Sequence, residues 1–201
     1  MAKVKNTKNE LKAQRDAQKR YERYLPTLQL KKQQLQAEVR AVELRLEENT
    51  QKERALVERS QSWVGLFADR VDFAPWLTVK NVVVVEANVA GVQIPVLQQV
   101  DIAESAPSLL ESPPWYDDAL QLLAEMLRLF CERRVLDEQK RLLGEELRVT
   151  NQRVNLFERV KIPECKDAIR KIRIALGDAM TLDVARGKIA KGRAVQEETA
   201  R

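Results

Sequence analysis

Two long stretches of the sequence carry apolar residues at alternating three- and four-residue steps. The first frame runs from Thr7 to Phe67, and the second runs from Leu122 to Phe157. Most residues between these positions are Lys, Arg, Glu or Gln, and 32% of the chain is charged. A helix with such a heptad stripe buries the stripe against another helix. The pattern therefore predicts two long helices that pair as a coiled coil.

Between the two stretches the pattern changes to that of a β-hairpin. Residues 78–87 are rich in β-branched side chains and predict a strand. Residues 88–91 can turn the chain, and residues 92–102 predict a returning strand whose Pro95 indicates an edge position. We therefore expect a mainly α fold: a long antiparallel two-helix coiled coil from the N- and C-terminal segments, with a small middle region containing a β-hairpin.

These patterns divide the chain into three segments. Residues 1–68 are expected to form the N-terminal coiled-coil helix, and residues 69–114 the middle region with the hairpin and a loop. Residues 115–201 are expected to form the C-terminal coiled-coil helix, which ends in a flexible basic tail. A compact middle between two long helices makes the helices antiparallel and brings both chain ends together.

Two irregularities are expected within the helices. Pro26 lacks a backbone N–H and crowds the preceding turn, which predicts a kink near Leu25. After Phe157 the apolar frame slips by one residue, at Ile162 and Pro163, and then resumes.

The register of the coiled coil can be estimated if Phe67 lies level with residues 119–122. Paired residue numbers then sum to about 186 to 189, since antiparallel helices of equal rise keep a constant sum. This register places Pro26 opposite residues 160–163.

The same register gathers the polar seam positions into one layer. Asn49 and Glu53 would face the stretch that contains Arg133, Asp137 and Lys140. A buried charge needs a partner, so Glu53 is predicted to form a salt bridge with a basic residue there.

The absence of histidine restricts the chemistry open to this chain. It excludes His-based acid–base catalysis, Ser-His and Cys-His nucleophile pairs, and the commonest metal ligand. Cys131 and Cys165 are too few for a disulfide framework and too isolated for a zinc site. Carboxylates beside Lys and Arg on helix faces indicate an ion-paired surface. We expect no catalytic residue, no metal and no cofactor.

Two other patterns have a structural interpretation. Residues 187–194 have the glycine spacing of a Walker A loop, but Arg193 and Ala194 replace its lysine and hydroxyl, and no strand precedes them. Several aromatic residues concentrate around the middle region, where a small core is favoured over a ligand pocket. These residues are Trp63, Phe67, Phe73, Trp76, Trp115 and Tyr116.

Positive charge is concentrated at the two ends of the chain. The net charge is +5, and the C-terminal basic residues lie past Val184. No run of 18 apolar residues is present, and the N-terminus lacks the apolar segment of a signal peptide. We expect a cytoplasmic protein whose basic ends meet acidic or polar surfaces.

Three patches occur in order along nearly the whole chain. One comprises Thr7, Lys8 and Leu11 with Leu28, Lys31, Lys32 and Leu35. Another is Asn-Val-Ala-Gly-Val-Gln-Ile-Pro at residues 88–95, and the most specific is Arg-Val-Asn-Leu-Phe-Glu at residues 153–158, followed by Ile162 and Pro163. Together these patches resemble the D subunit of the V-type (vacuolar and archaeal or bacterial) rotary ATPases.

The resemblance implies a non-catalytic rotor shaft of the central stalk. Such a protein couples ATP hydrolysis or synthesis in a hexamer of A and B subunits to proton or sodium ion translocation. It would contact the A and B subunits at one end. At the other end it would contact the F subunit and the collar subunit, which is called C or d, and it would reach the membrane only through the complex.

The resemblance and the charge pattern together suggest two sets of partner-binding residues. At the hexamer-facing tip we expect Lys3, Lys5, Lys8, Lys12, Arg15, Arg186, Lys188 and Lys191. At the lower end we expect Trp76, Gly91, Pro95 and Trp115.

Two other classes of protein fit the same heptads. A coiled-coil scaffold or tether would form parallel homodimers. A basic nucleic-acid-binding coiled coil would lose affinity steeply as salt rises. Stacking aromatics are few in the N-terminal arm, where Tyr21 and Tyr24 are the only ones, so nucleic acid is not expected as a partner.

Overall fold

The predicted combination of long helices and a central hairpin is confirmed. The structure, a computed structural model, describes residues 5–61, 65, 73, 76–105 and 115–199. Its elements are helix α1 (Lys8–Ser60), strands β1 (Leu77–Val89) and β2 (Val92–Glu104), helix α2 (Tyr116–Leu156), a π turn (Phe157–Lys161) and helix α3 (Ile162–Thr199).

The chain divides into two compact units. The first contains the N-terminal part of α1, up to Leu30, together with the chain from Thr150 onward. The second extends from Lys31 to Val149 and contains the rest of α1, the hairpin and most of α2. Each unit therefore combines residues that are distant in sequence.

Helix α1 begins at a side-chain cap and continues past its internal proline. Thr7 Oγ1 accepts a hydrogen bond of 3.2 Å from the backbone N–H of Glu10, which satisfies one of the free N–H groups of the first turn. The helix runs without interruption through Pro26 to Ser60. The last seam positions predicted for this helix, Trp63 and Phe67, lie outside the described residues.

In the second unit, the seam of α1 is buried at every seventh residue. Leu35, Val42, Asn49 and Leu56 are 0%, 3%, 1% and 8% exposed. Helix α2 contributes Leu136 and Leu143, which belong to the same core cluster as Leu35 and Val42. This burial is what a heptad stripe requires of two paired helices.

The predicted salt bridge forms, but the predicted register is wrong. Arg133 Nη1 lies 2.9 Å from Glu53 Oε2. Asn49, however, donates from Nδ2 to the Leu129 carbonyl oxygen (3.2 Å) and to Glu132 Oε2 (3.1 Å), so it lies about one heptad from the stretch expected to face it. A heptad stripe fits its partner equally well after a seven-residue shift, and a long Arg side chain bridges part of that difference.

The first unit gives the same correction. The rings of Tyr21 and Phe157 pack with centroids 5.0 Å apart. Pro26, five residues further along α1, therefore lies near the level of Gln152 in the antiparallel helix. Pro163 is eleven residues from Gln152, or about 16 Å of helix rise. The predicted placement of Pro26 opposite residues 160–163 is wrong for the same reason as the register.

The expected frame slip takes the form of a π turn. The backbone N–H of Ile162 donates to the carbonyl oxygen of Phe157, five residues earlier. Five-residue spacing accommodates the extra residue, so that Ile162 and Cys165 return to the buried side, at 8% and 6% exposed. Pro163 has no N–H, and its ring would crowd the carbonyl group four residues earlier in a regular helix. The wider turn relieves that conflict.

The hairpin joins β1 and β2 as an antiparallel pair, close to the predicted strands. Val89 pairs with Val92 across the two-residue turn Ala90–Gly91, and Pro95 pairs with Glu86. In this two-stranded sheet each strand is an edge, as the proline predicted. Lys80 and Gln98 have no cross-strand partner, which produces one bulge in each strand.

An aromatic cluster closes the open end of the hairpin. Tyr116 is 2% exposed, and its ring lies 5.0 Å from that of Phe73 and 5.3 Å from that of Trp76. Trp115 lies 5.9 Å from Tyr116. These four side chains form a packed aromatic cluster, as the small-core interpretation expects. The other two aromatic residues of that prediction are the ones outside the described residues.

Candidate partner-binding surfaces

The described basic residues that were predicted for the hexamer-facing tip lie in the first unit. Lys3 is outside the described residues. The others are exposed: Lys5 and Lys8 where α1 begins, Lys12 and Arg15 in its first turns, and Arg186, Lys188 and Lys191 near the end of α3. Exposed cations on helix surfaces are free to exchange partners, since surface ion pairs contribute little energy.

The two helices do not end at the same level. The last buried residue of α3 is Ile172, which is 0% exposed, and the side chains of residues 177–193 are all exposed. By the pairing of Tyr21 with Phe157, and allowing for the π turn, Lys8 lies near the level of residue 171. Arg186 is fifteen residues further along, about 22 Å of helix rise. The two basic groups therefore share a unit but are separated along its axis.

We call residues 177–199 of α3 the α3 extension. It exposes apolar side chains as well as basic ones. Met180, Leu182, Val184 and Ile189 are 55%, 57%, 59% and 59% exposed. Its described side chains include one intrahelical ion pair, Arg186 Nη1 to Asp183 Oδ1 at 3.7 Å. An extended helix that exposes both apolar and basic side chains offers a surface for contact with other chains.

The Walker A lookalike lies within the α3 extension. Residues 187–194 are helical rather than irregular, and α3 continues to Thr199. In a helix the backbone N–H groups bond to carbonyl groups of the preceding turn, so they do not converge on a phosphate as those of a phosphate loop do. The structure therefore supports the interpretation that this spacing is not a nucleotide site.

The residues predicted for the lower end fall into two separate groups in the second unit. Trp76 and Trp115 belong to the aromatic cluster at the open end of the hairpin. Gly91 and Pro95 lie at its turn end. Strands of 13 residues separate the two groups by about 40 Å. The structure does not bring these four residues together as one surface.

The sequence analysis did not predict that valines of the two hairpin strands are exposed. Val82, Val84, Val85 and Val96 are 38%, 43%, 47% and 39% exposed. Neighbouring residues of a strand point to opposite faces, so the two-stranded sheet exposes valines on both faces. The unbroken run from Val82 to Val85 was the available signal, because a strand with one face in water alternates apolar and polar residues.

The electrostatics of the second unit are those of an ion-paired helix surface. Arg141 bridges two carboxylates, with Nη2 2.6 Å from Glu138 Oε1 and Nη1 2.9 Å from Glu145 Oε1. The hydrogen bond to Glu138 raises the pKa of Arg141, and the same bond lowers the pKa of Glu138. Lys140 Nζ lies 3.0 Å from Glu43 Oε1. These groups are exposed or partly exposed and ion-paired, an arrangement typical of a solvated helix face.

The described residues also bear on metal binding and on membrane insertion. Within residues 5–61, 65, 73, 76–105 and 115–199, no group of three or more Cys, Asp or Glu side chains is arranged to hold a metal ion. In the same residues, every helix is too short in its apolar stretches or too charged to span a bilayer.

Comparison with known proteins gives one consistent result. The sequence profile of the family described as the ATP synthase D subunit matches residues 10–192. The V-type ATP synthase D subunit of Borreliella burgdorferi is 42% identical over 197 residues, which cover 98% of each chain. The V-type ATP synthase D subunits of Chlamydia caviae and Chlamydia trachomatis serovar L2 are 34% and 35% identical, over 97% of this chain and 95% and 98% of theirs.

The family profile extends over both units, including the hairpin and the π turn. The relatives match the chain at nearly equal length, so the correspondence includes the order of all these elements. A match of this length and identity assigns the family. The chain therefore belongs to the family of ATP synthase D subunits.

Proposed function

We propose that the chain is the non-catalytic rotor shaft in the central stalk of a V-type rotary ATPase or ATP synthase. The nearly full-length match to proteins named as the D subunit of a V-type ATP synthase is the observation that carries the proposal. In this role the chain couples ATP hydrolysis or synthesis in a hexamer of A and B subunits to the movement of protons or sodium ions.

The pairing of α1 with α2 and α3 suits a protein that transmits torque. Two supercoiled helices resist twisting more than one helix does, because each seam contact must be broken for the pair to unwind. Contacts such as Lys31–Glu146 at 2.7 Å and Arg133–Glu53 at 2.9 Å add links between the helices of the second unit. A shaft also needs no chemistry of its own, since the catalytic sites belong to other chains.

The partner assignments follow from the basic residues of the first unit and from the two separate groups of lower-end residues in the second unit. We assign the basic start of α1 and the α3 extension to the A–B hexamer. Weak, exchangeable contacts of exposed Lys and Arg would let the shaft turn without being held at one angle. We assign the F subunit and the collar subunit to the second unit, including the aromatic cluster. The membrane is then reached only through the complex, so the chain is peripheral to it.

Asymmetry explains how such a shaft acts on its partners. A shaft with different side chains on each face contacts three equivalent catalytic sites differently at one instant. Each contact favours one conformation of the site by its differential binding energy. Rotation then moves every site through binding, reaction and release in order.

The test combines co-purification with reconstitution. A tagged chain, purified from its own cells, should bring the A and B subunits with it. The isolated chain should show no ATP hydrolysis, and adding it to the A–B hexamer should change the turnover of the hexamer. A variant with Lys188→Ala and Lys191→Ala serves as a control for contaminating activity, because any residual hydrolysis should not depend on these lysines.

Two outcomes would contradict the proposal. One is recovery of a parallel homodimer with no A or B subunit, which would favour a scaffold. The other is ATP hydrolysis by the rigorously purified chain, which would require a catalytic site within it.

A further inference from the structure

The turn end of the hairpin contacts both helices of the second unit. We call residues 87–95 the hairpin tip. Ile94 of the tip is 6% exposed and belongs to one core cluster with residues of both helices. The cluster contains Leu35 and Val42 from α1 and Leu136 and Leu143 from α2.

A buried amide joins the tip to α2. Nε2 of Gln139 donates a hydrogen bond to the backbone carbonyl oxygen of Pro95. The Gln139 side chain is 3% exposed, and its Oε1 has no hydrogen-bond partner among the described residues. Because Oε1 of Gln139 is already unpaired, breaking the bond from Nε2 would leave the whole buried amide without a partner, which costs considerable folding free energy. The position of Pro95 therefore constrains the position of α2.

An ion pair between the helices lies beside the turn. Lys31 Nζ of α1 is 2.7 Å from Glu146 Oε1 of α2. A Cβ atom at Gly91 would lie 3.9 Å from the same Nζ. The tip therefore meets α1 and α2 at the level where they are linked.

The helix seam by itself does not select one register. The buried seam residues of α1 recur every seven positions, as do Leu122, Leu129, Leu136 and Leu143 of α2. A seven-residue shift therefore keeps apolar residues facing apolar residues over most of the seam.

The charged pairs resolve this ambiguity only in part. Shifting α2 by seven residues in one direction would offer Glu43 the guanidinium of Arg133 instead of Lys140. Shifting it in the other direction would offer Glu53 the ammonium of Lys140 instead of Arg133. Each shifted register thus keeps one of these two salt bridges. Both shifts lose the Lys31–Glu146 pair, but its side chains are partly exposed, so the pair contributes little energy and a buried contact discriminates better.

We propose that the hairpin tip is a clasp that fixes the axial register of α1 against α2. A seven-residue shift moves one helix along the other by about 10 Å. Ile94 still meets leucine side chains of α2 after such a shift, but Gln139 is carried away from the Pro95 carbonyl group. Glu132 or Glu146 takes the place of Gln139, and an ionised carboxylate cannot donate a hydrogen bond to that carbonyl group. Only one register lets α2 satisfy the Pro95 carbonyl group of the docked tip. This inference goes beyond the proposed function and concerns the fold itself.

The test traps the register with engineered disulfides in the full-length chain. The native cysteines are removed as Cys131→Ser and Cys165→Ala. Leu56→Cys with Leu122→Cys reports the observed register, because this pair keeps the residue-number sum of Asn49 and Leu129. Leu56→Cys with Leu129→Cys reports a shift one way, and Asn49→Cys with Leu122→Cys reports the opposite shift. In the observed register the shifted pairs are about 10 Å apart along the axis, beyond disulfide reach.

Two clasp variants are compared with one control. Ile94→Ser removes the buried apolar side chain, and Gln139→Leu removes the hydrogen bond while keeping similar volume. Val96→Ser is the matched control, since Val96 is on the same strand but 39% exposed. Ile94→Ser releases the tip from the helices, so both clasp variants lose the hydrogen bond between Gln139 and Pro95. They should raise the fraction of shifted disulfide about fivefold or more over the control, because a buried hydrogen bond that holds the register is worth at least that factor.

Helical content, measured by circular dichroism, decides how each result is interpreted. Shifted disulfide at the level of the control, with the helices retained, overturns the clasp. If Ile94→Ser loses its helices, Gln139→Leu is judged by the same threshold. Loss of the helices in both variants also overturns the proposal, because a clasp sets the register of a helix pair that forms without it.

Discussion

The hairpin turn places an alanine where glycine is favoured. Ala90 has φ of 51° and Gly91 has φ of 81°. Positive φ at both positions is the geometry of a two-residue turn that matches the twist of the strands. Asn88 supports this turn, since its Oδ1 accepts a 3.0 Å hydrogen bond from the Gly91 N–H. An alanine in the left-handed region carries a conformational cost that glycine avoids.

Exchanging these two residue types should therefore have opposite effects. We expect Ala90→Gly to raise the free energy of unfolding by about 0.5 to 1 kcal/mol, and Gly91→Ala to lower it by about 1 kcal/mol. The Gly91→Ala effect comes from the backbone, because a Cβ atom there makes only an ordinary contact with Lys31. Urea unfolding of both variants measures the two changes in the free energy of unfolding. Equal changes of the same sign would contradict the view that positive φ at these positions determines the effect.

The two cysteines should differ in reactivity. Cys165 is 6% exposed, whereas Cys131 is half-buried. Burial, followed by the negative charge of Glu164, raises the pKa of the Cys165 thiol. The thiolate is the reactive form, so Cys165 carries less of it near neutral pH.

We expect a maleimide at pH 7 to label Cys131 before Cys165. The rate at Cys165 should keep rising with pH above the usual range of a thiol. Peptide mass spectrometry over a pH series measures both rates, with Cys131→Ser and Cys165→Ala as controls. Faster labelling of Cys165 at pH 7 would mean that this part of α3 opens readily.

At the scale of the elements, the π turn makes an unusual prediction about deletions. Removing one residue from a paired helix normally rotates everything beyond it by about 100° and takes the stripe off the seam. Here, removing exposed Arg159 would turn the five-residue step between Phe157 and Ile162 into a four-residue step, which suits a regular helix. Pro163 would then crowd an α-helical turn.

We expect deletion of Arg159 combined with Pro163→Ala to keep the fold and a cooperative thermal transition. Deletion of Arg159 alone should cost up to about 3 kcal/mol, because the proline stays inside a regular helix. Deletion of exposed Arg148 in α2 is the control, and it should abolish the transition. Calorimetry measures all three, and similar losses for the three deletions would show that the π turn is required by the packing.

Sequence patterns predicted the elements better than their axial alignment. The slip at Ile162 was visible because apolar spacing records which face of a helix is buried. Its realisation as a π turn depends on backbone hydrogen bonds, which spacing alone does not specify. The hairpin followed from β-branched residues and the turn, but its docking through Gln139 and Ile94 did not. The Glu53–Arg133 salt bridge was predicted correctly, although Asn49 showed the register to be about one heptad away.

The sequence identified candidate partner-binding residues but not their positions relative to one another. Charge counts identified Lys8 and Arg186, but their separation depends on where α1 begins relative to α3. Trp76 and Gly91 both follow from composition and turn chemistry, yet the length of the strands places them at opposite ends of the hairpin. Pattern analysis therefore finds candidate residues more readily than it finds which of them share a surface.

At the scale of the whole molecule, we expect the part of the α3 extension from Gly187 onward to contribute little to the stability of the first unit. The described side chains of the α3 extension are exposed from residue 177 to residue 193. We expect truncation from Gly187 onward to change the midpoint of thermal unfolding little. The same truncation should weaken the effect of the chain on turnover of the A–B hexamer, because it removes basic contacts assigned to the hexamer.

The control for this truncation keeps the chain length and changes a similar charge elsewhere. Arg45→Ala and Lys52→Ala neutralise two exposed residues of α1 in the second unit. With this double variant, hexamer turnover should be closer to the value measured with the unaltered chain than it is with the truncated chain. If the truncated chain changes hexamer turnover as much as the full chain does, the assignment of the α3 extension to the hexamer fails.

The two bulges of the hairpin also bear on how chain length can vary among relatives. Lys80 and Gln98 are exposed, and each lies between neighbours that keep their own cross-strand partners. Loss of either codon would remove a residue without reassigning the pairs on its two sides. Gain or loss elsewhere in the strands would change the pairing of every residue beyond it. Gaps in an alignment of this family should therefore collect at these two positions, where the gene can change length while the hairpin keeps its pairing.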